Sequence, residues 1–268
     1  MRKSKFLIAG IASTALALGF SSIANAAIFQ GQSLEMAASS GKLDKKKPGP
    51  LNSFTTDVIT AYDNTTPAAP DVYATNTKVY FPKDYQFNTS GLAQCENSAS
   101  FASGTTANAI SLCGPAQVSS AGSATLEGPV PGVTAVVTAF NGQPNGGNPT
   151  ILLHSQSSAG PSLVLVGTLK ASDTAGYGKM LDVPVDLGPF QGTEAITDFK
   201  VTIKKTVVGG KASASKKKKK KAKKYYIMAK CSTKKWNFRA VSTYQNASTT
   251  TADDQISCKQ AKSKKKKK

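Results

Sequence analysis

The sequence predicts an all-β, sandwich-like protein made of many short antiparallel strands, with one short helix and two disulfides. Three observations lead there. Short segments rich in β-branched and aromatic residues recur from Thr55 onward. Several of them alternate apolar and polar residues with a period of two, the pattern of half-buried strands. Clusters of Gly, Pro, Asn and Ser separate them, and such clusters mark turns. Many strands between Gly/Pro-rich turns argue for a sandwich or barrel.

The chain opens Met1-Arg2-Lys3-Ser4-Lys5, followed by an apolar run from Phe6 to Phe20 and small residues ending Ala24-Asn25-Ala26. A cationic start, an apolar stretch and an A-x-A site, in that order, predict a secretory signal peptide over 1–26 with Ala27 as the new N-terminus. The run is too short for a spanning helix, which needs about 20 apolar residues, and no later segment is long and apolar enough to be one. Removing 26 of the 268 residues leaves 242, enough for a single all-β domain.

Residues 27–50 are polar, weakly patterned and end KKKPGP, which reads as a flexible N-terminal arm. Residues 51–260 read as the β-sandwich domain, or as two sub-domains on either side of a lysine-rich loop at 209–223. Residues 261–268 read as a disordered lysine tail. The strand segments are TDVITAY (56–62), TKVYF (77–81), VTAVVTAF (133–140), TILLHS (150–155), SLVLVGTL (162–169) and MLDVPVDL (180–187). They continue with TDFKVTIKKTVV (197–208), KYYIMAKC (224–231), WNFRAVSTY (236–244) and STTTADDQISC (248–258). Alternation sets Phe199, Val201 and Ile203 against Lys200, Thr202 and Lys204. It likewise sets Trp236, Phe238, Ala240 and Ser242 against Asn237, Arg239, Val241 and Thr243. FNGQPNGGNP (140–149), SSAGPS (157–162) and ASDTAGYG (171–178) carry turn chemistry. The one helix expected is ANAISLC (107–113), capped by Thr105-Thr106.

Four cysteines follow the signal segment: Cys95, Cys113, Cys231 and Cys258. An even count in an exported chain points to disulfides. Of three possible connectivities, Cys95–Cys113 with Cys231–Cys258 is favoured because each pair is local and the pairs are far apart. Zinc is disfavoured, since no C-x-x-C occurs and His154 is the only histidine. No D-x-D-x-D-G calcium loop and no phosphate-binding glycine motif is present, so the expectation is no metal and no cofactor.

The net charge of +19 is uneven. Residues 50–210 hold seven Lys against eleven Asp and Glu, a balance of −4. Residues 211–268 hold twenty Lys and Arg against two Asp, a balance of +18. Two runs dominate. One is Lys216, Lys217, Lys218, Lys219, Lys220 and Lys221, continued by Lys223 and Lys224. The other is Lys264, Lys265, Lys266, Lys267 and Lys268, and Lys45-Lys46-Lys47 adds a patch. These runs are candidate polyanion-binding residues, for an anionic cell-wall polymer or an acidic polysaccharide. The competing reading is a solvated loop and tail that keep the protein soluble. Lysine lacks the planar fork of arginine, so binding through the runs would be salt-sensitive and unselective.

Catalytic patterns are weak. His154 lies in an apolar run without a G-x-S-x-G elbow and reads as a packed strand residue. Asp182 and Asp186 would be roughly 13 Å apart on a strand at about 3.3 Å per residue, beyond the spacing of paired glycosidase carboxylates. Asp253 and Asp254 are adjacent and would face opposite ways. KKWNFRA mixes basic and aromatic residues, but alternation sends Trp236 and Phe238 to the core, so no specific nucleic-acid recognition is expected. The expected catalytic set is therefore none.

YFPKDYQFNTSGLAQCE, ANAISLCGPAQVSSAGSAT, VVTAFNGQPNGGNPTILLHS, ITDFKVTIKK and YYIMAKCSTKKWNFRAVSTYQNASTTTADDQISC occur in that order. Over roughly 75–258 the chain resembles a group of uncharacterised secreted proteins common in soil actinobacteria. The resemblance implies a signal peptide, a β-rich domain and two disulfides, with no known activity and no catalytic residue to carry over. The leading expectation is a secreted or cell-surface, non-enzymatic β-sandwich that associates with or decorates a surface. A polyanion- or glycan-binding module is the alternative, and a secreted hydrolase is the third reading. A pocket joining His154 to carboxylates would favour the hydrolase, whereas a basic face would favour the binder.

Overall fold

Inward and outward residues alternate along nearly every long segment, and that alternation rolls the chain into one continuous sheet. The computed structural model describes residues 31–61, 73–127, 132–157, 161–188, 195–208 and 224–261. The signal segment 1–26, Lys216–Lys221, Lys223 and Lys264–Lys268 lie outside the described residues.

The chain forms β1 (Gly31–Ser39), β2 (Gly49–Pro50), β3 (Ser53–Ala61), β4 (Ala74–Pro82) and β5 (Tyr85–Phe87), then helices α1 (Ala99–Ser103) and α2 (Thr106–Cys113). There follow β6 (Ser119–Glu127), β7 (Val133–Asn145), β8 (Asn148–Ser157), β9 (Ser162–Ala171), β10 (Tyr177–Pro184) and β11 (Ala195–Lys204). Last come β12 (Val207–Val208), β13 (Lys224–Tyr225), β14 (Ile227–Ala229), β15 (Lys235–Tyr244) and β16 (Thr249–Ser257).

Eleven strands join in the order β1-β3-β11-β6-β7-β8-β9-β10-β4-β15-β16, and every neighbouring pair is antiparallel. The two edge strands meet through side chains. The Met36 N–H on β1 donates to Asp254 Oδ2 on β16 at 2.7 Å. Gln32 Nε2 donates to Ser242 Oγ at 3.0 Å, and Thr250 Oγ1 donates to Gln32 Oε1 at 3.0 Å. The sheet is therefore a nearly closed barrel, which covers the edges that an open sheet would leave as templates for aggregation. The two layers of the expected sandwich are opposite walls of this one sheet.

The all-β antiparallel fold and the alternating faces read from sequence are observed. Trp236, Phe238, Ala240 and Ser242 are all buried on the inner face of β15. On β11 the outer face carries Lys200 and Lys204, both exposed. The stretch read as a flexible arm is corrected: from residue 31 onward it contributes β1 and β2. β1 pairs with β3 over its whole length and buries Leu34 and Met36, so burial and a full ladder offset its ordering entropy. The turn read over 140–149 is also tighter than expected. β7 continues to Asn145, and the reversal is made by Gly146 and Gly147, both with positive φ, which costs glycine little.

A three-stranded sheet, β2-β14-β5, closes one end of the barrel. Beneath it Tyr85 packs edge-to-face on Trp236, Phe54 and Phe238, with ring centroids 5.1–5.3 Å apart, the geometry that aromatic quadrupoles favour. Trp236 Nε1 donates to the Lys230 carbonyl at 3.0 Å. The Cys231–Cys258 disulfide staples this plugged end. On the outer wall, α1 and α2 cover β7, β8 and β9 with a second core of Phe101, Ala109, Ala116, Phe140 and Leu152 around the Cys95–Cys113 disulfide. Both bridges are the local pairs expected. Thr105 caps α2 by accepting from the Asn108 N–H, and Ser98 caps the additional short helix α1. Among the described residues no helix is long and apolar enough to cross a membrane.

Candidate functional site

Strand polarity decides which residues share an end of the barrel. β1, β4, β9, β11 and β16 finish at the plugged end, and β3, β10 and β15 begin there. The connections at this end carry exposed lysines from distant parts of the sequence. They are Lys42 and Lys45–Lys47 between β1 and β2, Lys83 between β4 and β5, and Lys179 near the start of β10. Lys204 and Lys205 at the end of β11, Lys234 and Lys235 entering β15, and Lys259 after β16 complete the set. Among the described residues the opposite end carries no lysine or arginine.

Both lysine runs attach to the same end. The β12–β13 ladder, Val207 opposite Tyr225 and Val208 opposite Lys224, leads into and out of residues 209–223. It is anchored where Tyr226 N–H donates to the Thr206 carbonyl at 2.8 Å. Ala261, the first residue of the stretch read as the tail, donates its N–H to the Leu43 carbonyl at 2.7 Å. Of the candidate polyanion-binding lysines, only Lys224 falls within the described backbone, in β13.

Acids are fewer than lysines at this end, and include Asp44, Asp84 and, in the β9–β10 connection, Asp173. The Asp44 carboxylate accepts from the backbone N–H groups of Lys46 and Lys47, at 2.7 and 2.9 Å, which holds its pKa below the ordinary value. Asp84 is buried and accepts from Ser232 N and Oγ at 2.8 and 2.9 Å, with Lys230 Nζ 3.9 Å away. A polar groove of about 450 Å³ lies beside Asp84, between Lys83, Tyr177, Lys235 and Arg239. Arg239 makes a bidentate pair with Asp253, at 2.8 and 2.9 Å, and lies over the Tyr177 ring at 5.9 Å.

The remaining chemical candidates resolve into structural roles. His154 is fully buried on β8 under the helices, with Nε2 3.0 Å from the Gly104 carbonyl and the Phe101 ring edge-on at 5.4 Å. Burial lowers its pKa. His154 lines neither the polar groove nor the apolar cavity inside the barrel. Asp182 accepts from Lys170 Nζ and Asn76 Nδ2, whereas Asp186 accepts from the Gly188 N–H. Asp253 and Asp254 face opposite ways, toward Arg239 and Met36. Trp236 is core.

Sequence reasoning missed two features: the convergence of scattered lysines on one end, and an apolar cavity inside the barrel. Each depends on strand register, which period-two patterning does not encode. Comparison with family models, curated proteins and solved structures gives no match.

Proposed function

We propose that this is a secreted, non-enzymatic β-barrel that attaches to an anionic surface polymer through its basic, plugged end. The carrying observation is the gathering of exposed lysines at one end, where both lysine runs also leave the barrel. Like charges placed together raise the local potential and attract a polyanion, at the cost of mutual repulsion that a bound polymer relieves. The Lys83–Lys235 groove beside Tyr177 adds a concave surface on which a sugar ring can lie. Export is supported by the signal pattern over 1–26 and by the two disulfides, which persist in oxidising compartments.

The test is retention of the secreted protein on immobilised heparin, with salt elution. Replacing Lys216–Lys221 and Lys264–Lys268 by Ser should remove most retention and leave the melting temperature nearly unchanged, since the sequence reads both runs as solvated and surface substitutions act weakly. Replacing Lys45–Lys47 as well should lower it further, leaving the weak retention of the other lysines at this end. Steep loss with salt is expected for lysine–polyanion contacts. Full retention by the combined variant would overturn the reading. Intact mass of the secreted protein should begin at Ala27.

A further inference from the structure

The barrel wall is wider than its contents. Eight strands enclose just enough room for side chains to fill the interior, and the described residues form eleven strands in this barrel. The aromatic cluster fills only the plugged end. Beyond it lies a cavity of about 110 Å³, walled by side chains such as Ile151, Leu153, Leu181, Val183, Phe199 and Val201. Leu181, Phe199 and Val201 point inward yet are only half-buried, because they border open space within the barrel.

The cavity is a poor place for water. Among the described residues no charged side chain lines it. Thr60 Oγ1 donates to the Ile196 carbonyl at 2.8 Å, and Thr77 Oγ1 is bonded to Ser242 Oγ at 3.0 Å. A buried water needs two to four polar partners, and an apolar cavity of about 150 Å³ lined by Leu, Ile and Phe stays dry and binds benzene. An apolar occupant would exchange its own hydration for dispersion contacts with the walls.

We infer that the barrel interior is a binding site for a small, uncharged hydrocarbon group of about benzene's size. This site abuts the inner side of the plug, where Phe54 and Ile227 line it, and differs from the lysine-bearing connections outside in chemistry. The occupant is either a free hydrocarbon or the end of a short acyl chain, which presents the same CH surface.

The experiment titrates the secreted protein with benzene and, separately, with octanoate, following the methyl resonances of Ile151, Leu181 and Val201 together with the melting temperature. Saturable shifts confined to these methyls, with a rise in melting temperature, are expected with benzene. Octanoate producing the same shifts assigns the acyl-chain source, and benzene alone assigns the free hydrocarbon. Val201→Phe and, as a second variant, Thr56→Leu should fill the space, keep or raise the melting temperature and weaken binding at least tenfold. Absence of saturable shifts with both probes would overturn the inference. So would undiminished binding in a folded cavity-filling variant.

Discussion

The backbone N–H of Met36 donates to Asp254 Oδ2 at 2.7 Å across the seam of the barrel, where β1 and β16 meet side by side. A carboxylate thus caps a donor that a neighbouring strand would otherwise have satisfied. Asp254→Ala should destabilise the protein by about 1–3 kcal/mol, as expected for losing a hydrogen bond to a charged acceptor. It should also speed hydrogen exchange at the Met36 amide, and Asp254→Asn, which keeps an acceptor, should recover part of the loss. Unchanged exchange at Met36 in the Ala variant would show that the seam is held by other groups.

A second carboxyl makes stability pH-dependent. Burial and the neighbouring Asp57 charge hold the pKa of Asp198 above the ordinary value, while Lys200 Nζ pairs with Asp57 Oδ2 at 2.6 Å. The folded state therefore binds more protons than the unfolded state between the two pKa values, and stability falls as pH rises through that window. Ionised Asp198 costs stability at neutral pH. Asp198→Asn should raise the melting temperature at pH 7 and give no gain at pH 3, below the ordinary carboxyl range. Melting curves at the two pH values check this, and an equal shift at both would sink the explanation.

Gly122 allows β6 to pass close to its neighbour. A Cβ at this position would lie 2.5 Å from the Val137 carbonyl oxygen and 3.0 Å from that of Lys200. Both are backbone atoms of flanking strands, so relief requires the sheet itself to shift. Gly122→Ala should cost about 1–3 kcal/mol, the range for overpacking, measured by denaturant titration. A neutral outcome would mean that the β6 wall is softer than its register implies.

The two disulfides close chain separations of 18 and 27 residues. In the chain-entropy treatment each contributes about 3–4 kcal/mol. Their structural contexts differ more than their entropies. Cys231→Ala with Cys258→Ala loosens the plugged end and should weaken heparin retention along with stability. Cys95→Ala with Cys113→Ala loosens only the outer helical cover and should leave retention intact in the folded protein. Equal retention in both double variants would separate the plug from the proposed binding end.

What the sequence made legible follows from how local each signal is. Phe199, Val201 and Ile203 announce an inner face within five residues, and so do Trp236, Phe238 and Ala240. β1 escaped notice although Leu34, Met36 and Ala38 also alternate, because the surrounding small and polar residues diluted the pattern. β6 is built largely of Ser, Ala and Gly, poor strand formers whose pairing comes from β7 and β11. The basic end was half visible. The charge imbalance of the C-terminal quarter is a matter of counting, whereas the arrival of Lys42, Lys83 and Lys179 at the same end requires strand directions. The cavity was invisible, because its walls come from strands far apart in the chain.

Barrel closure also has an order in time. β1 and β3 can pair as soon as both exist, but the opposite edge of β1 waits for β16, the last strand of the sheet. A chain emerging from its N-terminal side therefore passes through a stage with most of the wall assembled and one side open. Contacts of such long sequence separation form late and slow the final step of folding. During that interval the interior faces solvent through a gap one strand wide, so its apolar lining stays wet until β16 docks.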